Sequence, residues 1–133
     1  MHNLHYLSLA EVGRAIAARE LSSVEVTRAL LDRIRRLNPE LGAYYTIFAE
    51  AALAEAARAD AEIADGRRRG PLHGVPIAFK DLYDLGPTTA GSAVLKDNIA
   101  EGEAALVACM RAAGAVVLGL SLIHISEPTR QAE

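Results

Sequence analysis

Only two of the fourteen basic residues in this chain are lysine, Lys80 and Lys96; the other twelve are arginine. Lys80 closes the run Val75-Pro76-Ile77-Ala78-Phe79-Lys80-Asp81. An arginine guanidinium keeps its charge in a protein, whereas a lysine taken out of water can lose its proton and then act as a base. A lysine at the end of an apolar strand is placed for that. It is equally placed to lay its stem on apolar surface and send its ammonium to solvent, and the residue types alone favour this plainer role. Asp81 would hold a nearby lysine charged, but on a strand adjacent side chains point to opposite faces.

The other polar groups nearby read as structural. His73, in Leu72-His73-Gly74, shapes the turn leading into the strand and is not read as an acid or base. Thr88, Thr89 and Ser92 lie in the small, polar run Pro87-Thr88-Thr89-Ala90-Gly91-Ser92, where hydroxyls satisfy backbone groups. Gly74, Gly86 and Gly91 suit unusual backbone angles. Cys109 is the one cysteine, so no internal disulfide forms and a reducing compartment is expected. Among Ala105, Leu106, Val107 and Met110 it reads as a small buried hydrophobe.

The elements that must position Lys80 come from local patterns. Ser8-Leu9-Ala10-Glu11 is a capping box followed by Leu9, Val12 and Ile16 at helical spacing. Ser22-Ser23-Val24-Glu25 is another, and Val26, Leu30, Ile34 and Leu37 continue it as an apolar stripe until Asn38-Pro39. An alanine-rich helix is predicted from about Ala49 to Ala64, ended by Asp65-Gly66. Val75, Ile77 and Phe79 then alternate as a strand. A helix from about Glu103 to Ala113, with Leu106, Val107 and Met110 inward, leads to the apolar strand Ala115–Gly119. Strand, loop, helix and strand make a βαβ unit.

The bulk properties narrow the function classes. A chain of 133 residues makes one modest domain or part of a larger one. Apolar residues are 51%, much of it alanine, and aromatics only 5%, so helices form easily but large core side chains are few. At a net charge of −3, with basic residues mixed among acidic ones, no nucleic-acid surface is expected. Arg67-Arg68-Arg69 reads as a solvated turn. No leader and no long apolar run are visible, which makes the cytoplasm the expected location and excludes a membrane span.

Taken in order, these segments resemble the amidase signature family of serine amide hydrolases. The residues that carry the likeness are Gly70-Pro71-Leu72-His73-Gly74-Val75-Pro76, Ile77-Ala78-Phe79-Lys80-Asp81 and Pro87-Thr88-Thr89-Ala90-Gly91-Ser92. Glu20-Leu21-Ser22-Ser23-Val24-Glu25, Leu37-Asn38-Pro39 and Arg111 to Gly119 fit as well, so the likeness covers about residues 7 to 119. It implies an α/β fold of N-terminal helices followed by the first βαβ part of a larger mixed sheet. It also implies a Ser–cis-Ser–Lys triad with Lys80 as its lysine, no cofactor, no metal, and a small amide as substrate. An amidase releasing acid and ammonia or amine is favoured. The alternative with the same chemistry is the A subunit of a glutamyl-tRNA(Gln)/aspartyl-tRNA(Asn) amidotransferase. A non-enzymatic helical module, binding a partner through Val26, Leu30 and Ile34, is a third possibility.

Two departures matter. Leu85-Gly86 makes a shorter turn than the family's. After Gly119, where the family continues Lys-Thr-Asn and then a Gly/Ser-rich stretch with both serines, the chain reads Leu120-Ser121-Leu122-Ile123-His124-Ile125-Ser126-Glu127-Pro128-Thr129-Arg130. That stretch matches, codon for codon, the in-frame translation of a transposon-type sequencing-library adapter. Residues 1–119 are therefore expected to be a truncated amidase signature domain and residues 120–133 a non-native tail, in which His124 has no catalytic meaning. Without the serines this chain is expected to be inactive, and its open strand edges make it aggregation-prone.

Overall fold

The computed structural model describes residues 4–81, 83–89 and 92–121. A short 3-10 turn, Leu4–Tyr6, precedes four helices and three strands: α1 Leu9–Ala17, α2 Ser23–Leu41, β1 Tyr44–Ile47, α3 Ala49–Ala64, β2 Pro76–Lys80, α4 Ala105–Ala112 and β3 Val116–Ser121. The arrangement is the mixed α/β one expected.

Both capping boxes form. Ser8 Oγ accepts from Glu11 N–H at 3.1 Å and Ser22 Oγ from Glu25 N–H at 3.0 Å, while each glutamate carboxylate accepts from its serine's backbone. The start of α2 has a second cap from another helix. Asp60 of α3 accepts from Ser23 N–H at 2.6 Å and Val24 N–H at 3.0 Å, a carboxylate where orphan donors and the helix dipole favour one.

Helix α2 does not stop at Asn38-Pro39. It runs to Leu41, where Gly42 at φ +59° ends it by donating to Asn38 O at 2.7 Å. Pro39 falls in the last turn, so its missing N–H removes a single bond and the helix survives. The Asn38 side chain then directs the exit, accepting from Tyr44 N–H at 2.8 Å and donating to Tyr44 O at 3.2 Å.

In the sheet β3 is central, antiparallel to β1 and parallel to β2. β2, α4 and β3 form the anticipated βαβ unit. β1 was not anticipated, and β3 continues past Gly119 to Ser121. Gly119 is where β1 crosses close by: a Cβ there would lie 2.1 Å from Thr46 O. Val116 and Leu118 pack with Leu31, Ala52 and Ala56 of α2 and α3, whereas Val117 and Leu120 pack with Phe79, Leu85 and Val107. A third cluster joins Leu4, Val12, Ile16, Leu21, Val26 and Val75.

Three apolar assignments are corrected. Leu9 and Leu106 are exposed, and so is Cys109. α4 is only two turns long and faces inward through Val107 and Met110, which turns Leu106 and Cys109 outward. Among the described residues, no helix is long and apolar enough to cross a membrane.

Candidate active site

Lys80 ends β2 between two buried neighbours. Phe79 is 5% exposed and sits edge-on to Tyr83, with ring centroids 6.1 Å apart; Asp81 is fully buried. Lys80 itself is half-buried and lies opposite Ser121 of β3, whose hydroxyl donates to Phe79 O at 3.4 Å. Asp81 N–H donates to Ser121 O at 3.0 Å, so the parallel ladder carries on one residue past the lysine. Among the described residues Asp81 makes no ion pair, with Lys80 or any other cation.

The Asp81 carboxylate turns instead to the following loop. It accepts from Thr89 N–H at 2.9 Å and, through its other oxygen, from the Thr89 hydroxyl. Thr88 Oγ1 accepts from Leu85 N–H at 2.9 Å and donates to Tyr83 O at 3.0 Å, while Asn98 Nδ2 donates to Thr88 O at 2.7 Å. Ser92 Oγ accepts from Val94 N–H at 3.2 Å. The Thr88 and Ser92 hydroxyls therefore satisfy backbone groups as expected, whereas the Thr89 hydroxyl donates to a carboxylate. Leu82, Ala90 and Gly91 lie outside the described residues, as do Leu122 to Glu133 with His124.

At the other end of β2, His73 is 2% exposed. Its Nδ1 accepts from Arg69 N–H at 3.0 Å, which puts the ring proton on Nε2, and Nε2 donates to Glu62 Oε1 at 2.9 Å. His73 is thus a structural pin between α3 and the turn before β2. Gly114, at φ +89°, packs on the ring so closely that a Cβ would lie 2.4 Å from Cδ2. Arg67, Arg68 and Arg69 are exposed, as expected of a solvated turn, but Arg69 also binds Glu62 Oε2 at 2.9 Å and Ala112 O at 3.4 Å. Hydrogen bonding from Arg69, then from His73, and the arginine's charge hold the Glu62 carboxyl below its ordinary range against the opposing effect of desolvation.

A second clamp was also missed. Arg111 pairs with Glu55, which accepts from Val117 N–H at 3.2 Å. Arg111 Nε lies 2.7 Å from Glu103 Oε1, but without hydrogen-bond alignment, so this contact is an ion pair alone. The only sequence signal for these partners is that Glu55 and Glu62 are seven apart and share a face of α3.

The stripe offered as a docking face is largely core. Val26 is 1% exposed, and Leu30 and Ile34 pack against the buried clusters. The helical-module idea loses its surface. No cluster of three or more potential metal ligands occurs among the described residues.

A family model described as Amidase matches residues 25–126. The Mycobacterium tuberculosis protein named "Putative amidase AmiD" is 49% identical over 115 residues, 85% of this chain and 24% of that protein. The A subunit of the glutamyl-tRNA(Gln) amidotransferase from Acidothermus cellulolyticus is 44% identical over 121 residues, 90% of this chain and 24% of that protein. The X-ray structure of native peptide amidase from Stenotrophomonas maltophilia superposes with a TM-score of 0.82 at 39% identity, over 91% of this chain and 26% of that one. The chain therefore spans about a quarter of the length of the relatives it matches.

Proposed function

Since this chain belongs to the amidase family, we propose that it carries the lysine end of a Ser–cis-Ser–Lys triad that hydrolyses a carboxylic acid amide. The observation that carries this reading is the setting of Lys80: a half-buried lysine at the end of β2, held between buried Phe79 and Asp81, in a fold that superposes on a peptide amidase. In its unprotonated form Lys80 takes a proton from the bridging serine, which takes one from the nucleophilic serine. The nucleophile's oxygen bonds to the amide carbon, the C–N bond breaks, and the nitrogen leaves with a proton returned along the relay. Water then cleaves the acyl-enzyme by the same route. The substrate is a small-molecule amide, the chemistry needs no cofactor, and the cytoplasm is the working location.

The A subunit of an amidotransferase is kept as the second reading, because relatives with that name are nearly as similar as the amidase. An enzyme that releases ammonia from simple amides without partner subunits supports the first reading. One that turns over glutamine only when assembled on a charged tRNA supports the second.

We also propose that the amidase segment ends at Gly119 and that residues 120–133 are not native. β3 runs on through Leu120 and Ser121, and the family match extends to residue 126, so the test lies in the DNA: a genomic read across the Gly119 codon that returned the same tail would sink this part. The function is tested on the full reading frame of the parent. Lys80→Ala is expected to lower kcat/KM by about a thousandfold, and retained turnover would overturn Lys80 as the base. This chain itself is expected to be inactive; aryl-amide turnover that vanished on Lys80→Ala would refute that.

A further inference from the structure

We propose that Asp81 is the positioning residue for Lys80, holding the lysine's backbone in register through its own N–H and tying the Thr88–Thr89 loop to the same point through its carboxylate. The proposal rests on the reading of Lys80 as the base. Four observations meet at Asp81. It is fully buried. Its N–H donates to Ser121 O at 3.0 Å, immediately after the last β2 residue. Its two oxygens separately take the Thr89 N–H and the Thr89 hydroxyl. It has no ion-pair partner among the described residues.

A buried carboxylate without a cation is costly to keep unless hydrogen-bond donors satisfy it. Among the described residues Thr89 supplies both donors to the Asp81 side chain, so departure of the loop would take both away. Lys80 is consequently fenced on both sides. Phe79 anchors one peptide unit in the core, and Asp81 anchors the next to both β3 and the loop. A proton acceptor gains from such fixation because relay atoms must meet within hydrogen-bond reach.

The two lysines make the test direct. In a chain labelled with 13C-lysine each ε-methylene gives its own signal, and Lys96→Arg assigns them. At low protein concentration, the Lys80 signal is expected away from the position of an unstructured lysine. Thr89→Val should shift or broaden it and speed exchange of the Thr89 amide by about tenfold or more. Thr89→Ser, which keeps both donors, should restore both readouts. Asp81→Ala should act like Thr89→Val or more strongly, and the Lys96 signal should stay still throughout. The proposal is overturned if the Lys80 signal sits at the unstructured position in the unmodified chain. It is equally overturned if that signal ignores Thr89→Val, even where Thr89 exchanges faster, since Asp81 would then anchor the loop alone. These readouts report the order of Lys80 and not its chemistry. Activity of Lys80→Ala in the full-length parent tests the base separately, so either idea can fail while the other stands.

Discussion

Gly114→Ala should destabilise this chain mainly through His73, and the size of the effect follows from two distances. Gly114 has φ +89°, where a Cβ alone costs about 1–2 kcal/mol. The new methyl would also lie 2.4 Å from His73 Cδ2 and 2.9 Å from Cγ, so the ring must move. The ring is buried and holds two hydrogen bonds, to Arg69 N–H and Glu62. Stranding one buried partner costs about 1–3 kcal/mol, which brings Gly114→Ala to about 2–5 kcal/mol. In a His73→Ala background the ring is gone. Of its three nearest atoms only the His73 Cα then remains, at 3.2 Å, a contact that relaxes by a few tenths of an ångström. There the same substitution should cost about 1–2 kcal/mol, leaving a coupling of about 1–3 kcal/mol between the positions. Urea unfolding followed by circular dichroism measures the cycle, with trimethylamine N-oxide added if the single variants are too unstable in buffer. Equal cost of Gly114→Ala in both backgrounds would show that the ring contact carries no energy and that His73 is not the pin described.

Asp60→Ala should cost about 1–2 kcal/mol in urea unfolding, because Asp60 caps two orphan N–H groups of α2; Asp60→Asn should cost less, and no difference between them would argue against a charged cap. Glu62 gives a pH dependence whose sign is fixed by its lowered pKa. Its contribution is fully present above the ordinary glutamate value of 4.5 and is lost as pH falls through the lower folded value. Stability should therefore decline across that acidic window, and Glu62→Gln should flatten the decline; parallel acid profiles for the two proteins would contradict it. Gly119→Ala should detach β1 from β3, since a Cβ meets the Thr46 carbonyl at 2.1 Å. Amide exchange of Phe48, whose N–H donates to Leu118 O at 2.8 Å, should quicken, and unchanged exchange would refute the close crossing.

What the sequence disclosed was local. Both capping boxes are serine–glutamate pairs three residues apart, so nothing beyond one helical turn was needed to find them. The same holds for α3, bounded by Asp65-Gly66, and for β2, marked by Val75, Ile77 and Phe79. β1 stayed hidden because four residues carry little periodicity and its hydrogen bonds are made to β3, far along the chain. The end of α2 was misplaced because a proline in the last turn costs far less than one in the middle. Cys109 and Leu106 were turned the wrong way because a two-turn helix next to a sheet buries one narrow stripe. The clamps left almost no mark: Glu55 and Arg111 are 56 residues apart, and the shared face of Glu55 and Glu62 on α3 names neither partner.

Those nonlocal clamps hold both ends of the strand that carries Lys80. β2 has only five residues and is paired on one side among the described residues, to β3. A strand paired on one side has one ladder alone, and other contacts anchor its ends. At its start, His73 ties the preceding turn to Glu62 of α3, while Gly74 N–H donates to Gly114 O at 2.8 Å. At its end, Asp81 ties the chain to β3 and to Thr89. Of the two carboxylates in these anchors only Asp81 is fully buried, so it is the end at Asp81 that cannot slip without leaving a desolvated carboxylate short of donors. Lys80 is the last residue between them. On the proposed role of Lys80 as the base, substitutions at His73 or Asp81 should impair a full-length enzyme through kcat before they alter substrate binding. A rise in KM with kcat unchanged on Asp81→Asn in the parent would place Asp81 in the substrate pocket and remove it from the frame of the base.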